Sequence, residues 1–198
     1  MFSIIDLEWT SWKGSIERNW KLSWENREII QIGSIKFNRF GIKSKNLAKI
    51  NFIIKPEINK NLSIYFQKLT KLNQQKIYER GKNFNEVNKD LNIFFKDSKF
   101  ILCNGLDKEV LIENFKLKKI LFPEFLKKII NIRPFLSAYL NKREEEIISS
   151  KINQDFNFEN KNRHHDALFD CLNIYRSISK INDIDKEILI YCNKFKNL

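Results

Sequence analysis

The chain has 198 residues and 23.9 kDa, 42% of them hydrophobic with 17 Phe but only 5 Gly and 3 Pro, which excludes collagenous, low-complexity and disordered classes and leaves a globular protein. Lys and Arg number 36 against 24 Asp and Glu, a formal +12; such a field draws polyanions, nucleic acid first among them, although the accompanying excess of Asn, Ile, Phe and Lys is also what an AT-rich coding sequence imposes. No window approaches the ~20 apolar residues of a spanning helix, the start MFSIIDLEWT lacks a signal peptide's basic region and cleavage site, and Cys103, Cys171 and Cys192 show no CxxC spacing. The expectation is a cytoplasmic protein with reduced core thiols, no membrane partner, and one domain over residues 1–198.

In chain order, 2–7 (FSIIDL) is a short apolar run, and 28–37 (EIIQIGSIKF) alternates apolar and polar as half-buried strands do. A third strand at 47–55 stops at Pro56, with 41–46 (GIKSKN) as the turn of a hairpin. Helical spacing takes over from 62 to 95, clearest in 84–95, where Val87, Leu91 and Phe94 or Phe95 share a face. Residues 99–103 (KFILC) read as a buried strand, followed by the loop Asn104-Gly105 and a helix over 107–115. A fifth strand is expected at 129–133 before Pro134, a helix reaching back to Phe125 fitting nearly as well. The polar stretch 141–163 offers a helix near 143–149, and 167–178 and 185–195 are expected to be helical. This order predicts an α/β fold: a mixed five-stranded sheet, its first three strands antiparallel, flanked by helices.

Three motifs carry chemistry. Asp6 and Glu8 are two apart near the end of the first strand, so both carboxylates leave one face. Paired acids raise each other's pKa unless a cation compensates, and hard oxygen ligands suit Mg²⁺ or Mn²⁺; a solvated strand end is the other reading. His164-His165-Asp166-Ala167-Leu168-Phe169-Asp170 holds the only two histidines. His165 and Asp170 converge only if His165 lies in the lead-in loop and Asp170 one turn inside the helix; alternatively Asp166 merely caps the helix beside surface histidines. Asp107 follows strand and tight loop, where α/β folds place ligands, or is a simple N-terminal helix charge.

Taken together, Asp-x-Glu on the first strand, an Asp near position 107 and His-x-Ala-x-x-Asp near the end resemble the DEDDh family of 3′-to-5′ exonucleases, which have a ribonuclease-H-like fold. Glu28-Ile-Ile-Gln-Ile-Gly33 is similar to that family's second strand, and Pro56 through Leu62-Ser63 to Leu69-Thr70 to the segment leading to its Leu-Thr-Gly loop. The wording of Asn104-Gly105-Leu106-Asp107 and His164-His165-Asp166-Ala167 resembles most the branch of Eri-type RNA exonucleases and bacterial relatives of a sporulation-kinase inhibitor. Two features depart from the family: Lys71 stands where the Gly of Leu-Thr-Gly is usual, and the segment 9–27, carrying Trp9, Trp12, Trp20 and Trp24, is longer than the usual link. That insertion is either an aromatic platform for terminal bases, with Trp9 foremost, or a small satellite core.

The resemblance implies hydrolysis of phosphodiester bonds in single-stranded nucleic acid with a free 3′ end, RNA favoured over DNA, by two Mg²⁺ ions (Mn²⁺ substituting), with release of 5′-nucleotides. It implies Asp6, Glu8, Asp107 and Asp170 as metal ligands, His165 as general base, and Trp9, Thr10, Thr70 and Lys71 as substrate contacts; His164 receives no role. The alternative is a non-catalytic module on the same fold that binds nucleic acid or a protein. Lys116, Lys118, Lys119, Lys127 and Lys128 form a basic stretch expected either to track phosphates or to be a solvated charge run.

Overall fold

The computed structural model describes residues 1–41, 43, 46–158 and 165–195. Five strands form one mixed sheet in the order β3-β2-β1-β4-β5. β1 (Phe2–Trp9), β2 (Ile29–Phe37) and β3 (Ala48–Ile53) are antiparallel, while β4 (Phe100–Cys103) runs parallel to β1 and β5 (Ile129–Asn131) parallel to β4. The expected 41–46 turn between β2 and β3 lies partly outside the described residues, which omit 42, 44 and 45.

Nine α-helices occur among the described residues: α1 (Ser15–Arg18), α2 (Ile64–Thr70), α3 (Gln74–Arg80), α4 (Phe84–Phe95), α5 (Asp107–Leu117), α6 (Arg133–Leu140), α7 (Ile152–Asp155), α8 (Ala167–Ile178) and α9 (Ile184–Asn193). The helical stretch 62–95 divides at side-chain caps: Ser63 accepts from Phe66 N at 2.9 Å, Asn73 from Lys76 N at 2.8 Å, and Asn83 forms a capping box with Glu86. Each cap satisfies a donor that the first turn leaves orphaned, so three short helices replace one long one. None of the described helices is long and apolar enough to cross a membrane.

Three expectations are corrected. β1 continues through Trp9, so Asp6 and Glu8 lie inside the strand rather than at its end. Arg133–Leu140 is an unexpected helix, because Pro134 occupies its first turn, where a missing N–H and a fixed φ are favourable, instead of only ending the strand before it. At 143–149 only a 3-10 turn forms, Glu144–Glu146: three consecutive acids are exposed and Ile147 alone is buried, which gives no apolar face to dock.

The strand period of two divides β1 between two cores. Ile4 faces α8 and α9, in a cluster with Ile35, Cys171, Ile174 and Ile188. Ile5 and Leu7 face α4 and α5, against Phe84, Leu91, Phe95, Val110 and Phe115; Phe95 rather than Phe94 is the fully buried member of the α4 stripe. Asp6 and Glu8 therefore leave the sheet on the α8 side.

On that side α8 approaches β2 at Gly33. A Cβ on Gly33 would lie 2.2 Å from Ala167 C and Leu168 N, both backbone atoms. Cys171 Sγ donates to Gly33 O at 3.3 Å from the next turn of the helix. Gly33→Ala must push the helix off the sheet, and its expected cost is about 1–3 kcal/mol, the range of core overpacking; urea denaturation measures it, and an unchanged midpoint would contradict the close approach.

Candidate active site

Four carboxylates from three elements meet above the α8 side of the sheet. β1 supplies Asp6 and Glu8, α5 supplies Asp107 as its first residue, and α8 supplies Asp170 in its first turn. β1 pairs with β4 only as far as Ile4, so the Leu7 N–H beyond it is taken by Asp107 Oδ1 at 3.0 Å. That bond pins α5 to the strand between Asp6 and Glu8. The turn delivering Asp107 requires a glycine: Gly105 has φ +125°, and a Cβ there would lie 2.4 Å from Arg133 Nη2.

His165 lies in the lead-in to α8 and Asp170 one turn inside it, the arrangement that lets them converge. Asp166 caps the helix, accepting from Phe169 N at 3.1 Å, and the backbone reaches that cap through a left-handed His165 (φ 58°). His165 Nδ1 is 3.9 Å from Glu8 Oε1, and one ligand atom each from Glu8, His165 and Asp170 lie within 4.8 Å of one another. His164 falls outside the described residues.

All four acids are buried, none more than 8% exposed. Burial, and then the charges of Asp107, Asp170 and Glu8, push the Asp6 carboxyl well above its ordinary range, against a hydrogen bond from Ser149. Glu8 is raised in the same way by burial, Asp170, Asp107 and Asp166. Burial lifts Asp107 to about 7 in spite of the Leu7 amide and the nearby Arg133, and burial with Asp166 lifts Asp170 to about 8. Asp170 Oδ1 is buried without any hydrogen-bond partner. An orphaned carboxylate oxygen among further hard oxygen donors fits divalent cations such as Mg²⁺ or Mn²⁺, whose charge would relieve the repulsion.

Carboxyls with raised folded-state pKa values hold protons that the unfolded chain releases, so their contribution is complete below about pH 4 and is lost as pH rises to about 7–8. In EDTA the unfolding midpoint is expected to fall across that window, and Mg²⁺ at pH 8 to restore it; a midpoint that rises with pH in EDTA would contradict the clustering.

The expected substrate contacts are differently placed. Trp9 ends β1 beside Glu8 and packs on Trp20, ring centroids 6.1 Å apart, while Trp12 meets Trp24 edge-on at 4.9 Å. The Thr10 hydroxyl donates to Asn26 O and accepts from Glu28 N at 2.9 Å, and Thr10 O accepts from Trp20 Nε1 at 3.0 Å. With Ser15, Arg18 and Glu25 hydrogen-bonded inside it, the segment 9–27 has the pairing of a satellite core, with Trp24 half exposed on its surface. Thr70 is buried, donating to Phe66 O at 3.0 Å and accepting from Leu72 N at 3.2 Å. Lys71 caps α2 in the left-handed region, φ 61°, a conformation natural for the family's usual Gly. Left-handed backbone costs a non-glycine roughly 1–2 kcal/mol, offset by glycine's greater freedom when unfolded. Lys71→Gly is therefore expected to change stability by between 0 and about +1 kcal/mol in chemical denaturation, and a clear loss would contradict this backbone.

Three of the five lysines in the basic stretch 116–128 have partners within the protein. The Lys118 side chain is buried and pairs with Glu28 at 3.6 Å and Glu57 at 3.1 Å, Lys127 pairs with Glu124 at 3.0 Å, and Lys128 Nζ donates to Phe95 O and Lys96 O. Sequence reasoning also missed the groups around the acids. Ser149, held by Asn104 Nδ2 at 2.9 Å, bonds Asp6, and Arg133 Nη2 donates to Asn104 O at 2.7 Å. Gln31 Oε1 accepts from Ala167 N at 3.2 Å at the start of α8. Only their cross-strand or loop register could have signalled them.

A mixed sheet with acids from within β1 and from the first turns of α5 and α8 is the ribonuclease-H-like arrangement of exonuclease folds. The profile of the exonuclease family, RNase T type, matches residues 3–177, and the chain belongs to that family. Among solved structures it is similar to the nuclease domain of 3′hExo, a DEDDh family member bound to rAMP, with TM-score 0.76, 23% identity and 90% of each chain covered. It is also similar to cell-death related nuclease 4 (CRN-4), with TM-score 0.71, 19% identity, and 90% of this chain and 62% of that one covered. E. coli exonuclease I in its zinc-bound complex with single-stranded DNA gives TM-score 0.68 and 16% identity over 98% of this chain and 44% of that one. No curated protein sequence matches.

Proposed function

We propose that residues 1–198 act as one exonuclease domain that hydrolyses single-stranded nucleic acid from a free 3′ end by a two-metal-ion mechanism, releasing 5′-nucleotides. The observation that carries this reading is the grouping of Glu8, His165 and Asp170, ligand atoms within 4.8 Å of one another, beside the buried Asp6 and Asp107, one carboxylate oxygen being left without a partner. Asp6, Glu8, Asp107 and Asp170 would hold the ions, Mg²⁺ with Mn²⁺ as substitute. When bound, such ions supply Lewis-acid polarisation of the phosphate and a more acidic attacking water. His165, turned toward Glu8 and partly open to solvent, accepts the proton of that water at a ring nitrogen. Trp9 offers an aromatic wall beside the site. Likeness to Eri-type RNA exonucleases in the loops at 104–107 and 164–167 favours RNA over DNA.

Incubation with 5′-labelled single-stranded RNA and DNA, with Mg²⁺, Mn²⁺ or chelator, tests the reading: stepwise shortening from the 3′ end, dependent on metal, is expected. Binding without turnover would leave a non-catalytic module. Asp6→Asn and Asp170→Asn should each abolish turnover with the fold intact, and near-normal rates would refute the assignment. His165→Ala should slow single turnover roughly 10²- to 10⁴-fold, the usual contribution of a positioned base. A single-turnover rate in His165→Ala close to that of the wild type would mean another base.

A further inference from the structure

A pocket of about 310 Å³ opens on the β3 side of the carboxylate cluster, with Gln31, Asn51, Lys76, Arg80, Lys82 and Asp166 in its lining. It adjoins the site through two residues. Gln31 is the cross-strand partner of Glu8, so both side chains leave the same face of the sheet, and Asp166 directly follows His165. Gln31 Nε2 donates to Asn51 Oδ1 at 3.0 Å, which continues the polar floor to the edge strand.

The charge of this pocket is opposite to that of the cluster. Lys76 and Arg80 are four residues apart on α3 and share a helical face, and among the described residues neither makes an ion pair. Lys82 Nζ lies over the Phe52 ring, 5.0 Å from its centroid, and its partner Asp90, at 3.2 Å, is itself nearly half exposed. The Asp166 carboxylate is engaged by its own helix N-terminus. Three cations thus border a polar hollow next to buried acids that would by themselves repel a polyanion.

We propose that this pocket is a phosphate subsite: Lys76, Arg80 and Lys82 bind backbone phosphates of a nucleic-acid strand whose scissile bond lies in the carboxylate cluster. This rests on the nuclease reading and names where that substrate is gripped. A guanidinium and two ammonium groups match phosphate oxygens in charge and in hydrogen-bond donors. Such contacts carry no base information, so the grip is indifferent to sequence.

Fluorescence anisotropy of labelled single-stranded RNA and DNA in EDTA, over a range of salt, tests the subsite without turnover. Lys76→Gln/Arg80→Gln/Lys82→Gln is compared with the charge-matched Lys116→Gln/Lys119→Gln/Lys127→Gln, and thermal unfolding verifies that both fold. The first is expected to weaken binding about tenfold or more and to lower the slope of log affinity against log salt by about 2, at ~0.7 per phosphate contact. The second should stay within about twofold in affinity, with the slope retained. Equal losses in both sets would mean a diffuse field, and no loss in the first set would mean no subsite; either overturns the proposal. Should the triple variant not fold, Arg80→Gln alone must lower the slope by about 0.7. Binding that depends on these residues with no turnover in Mg²⁺ would refute the nuclease reading and keep the subsite; turnover with unaltered binding would do the reverse.

Discussion

The contact between the first turns of α8 and the strand β2 at Gly33 sets the geometry of everything above the sheet. The atoms in contact are backbone on both sides, with no rotamer available to absorb an error. Gly33 is the cross-strand partner of Asp6, and Cys171, which reaches Gly33 O and Ile4 O, immediately follows Asp170 in sequence. The spacing between Asp6 and Asp170 is therefore fixed through the main chain by two successive residues of a helix pressed on two adjacent strands. Gln31 and Asp166 add to this by satisfying N–H groups of the helix start, which determines where α8 begins and so which residue falls one turn inside it.

Burying four acids together opposes folding, and the fold meets that opposition only in part. Asp107 and Asp170 stand in the first turns of α5 and α8, where the helix dipole favours an anion. Asp6 and Glu8 come from a strand and have no such compensation. Hydrogen bonds from Leu7 N to Asp107 and from Ser149 to Asp6 help, yet the carboxyl pKa values still rise. A site under that tension either keeps protons or takes up cations. The fold supplies Arg133 as a countercharge near Asp107, its guanidinium donating to Asn104 O rather than to the acids.

The sheet was legible in the sequence because apolar runs, their stops and the alternation in 28–37 are local signals, whereas the acids were gathered into one site only by the family resemblance. The strand period placed Asp6 and Glu8 on one face, and convergence of His165 with Asp170 called for a loop-to-helix junction that the structure contains. What was hidden depends on distant pairings. α6 was missed because Pro134 reads equally as a stop after β5 and as a first-turn residue. Lys118 looked like part of a basic run, but it neutralises Glu28, a fully buried carboxylate that also accepts from the N–H groups of Glu57, Ile58 and Asn59. No local pattern reports that a lysine at the end of α5 answers an acid at the start of β2. Ser149 reaches Asp6 from a stretch whose own sequence suggested an unrelated helix.

The two flanks of the cluster differ in rigidity and in charge, and this bears on how a strand would lie. On the Trp9 side, Thr10 ties the insertion to Asn26 and Glu28, Ser63 Oγ donates to Ser11 O, and Asn59 Nδ2 donates to Trp24 O. The insertion is thus stitched to the segment that carries Thr70 and Lys71, and the tryptophans act first as its core. Ordered aromatic surface of that kind stacks a base at little further entropic cost, since the rings are already held. On the β3 side the wall is an edge strand bordered by Lys76, Arg80 and Lys82, of which only Lys82 has an ion-pair partner among the described residues. A strand clamped by its terminal base on the aromatic flank and by its phosphates on the cationic flank would cross the carboxylates between them. Both grips are independent of base identity, so selection would rest on whether an end can enter, a constraint of shape rather than of sequence.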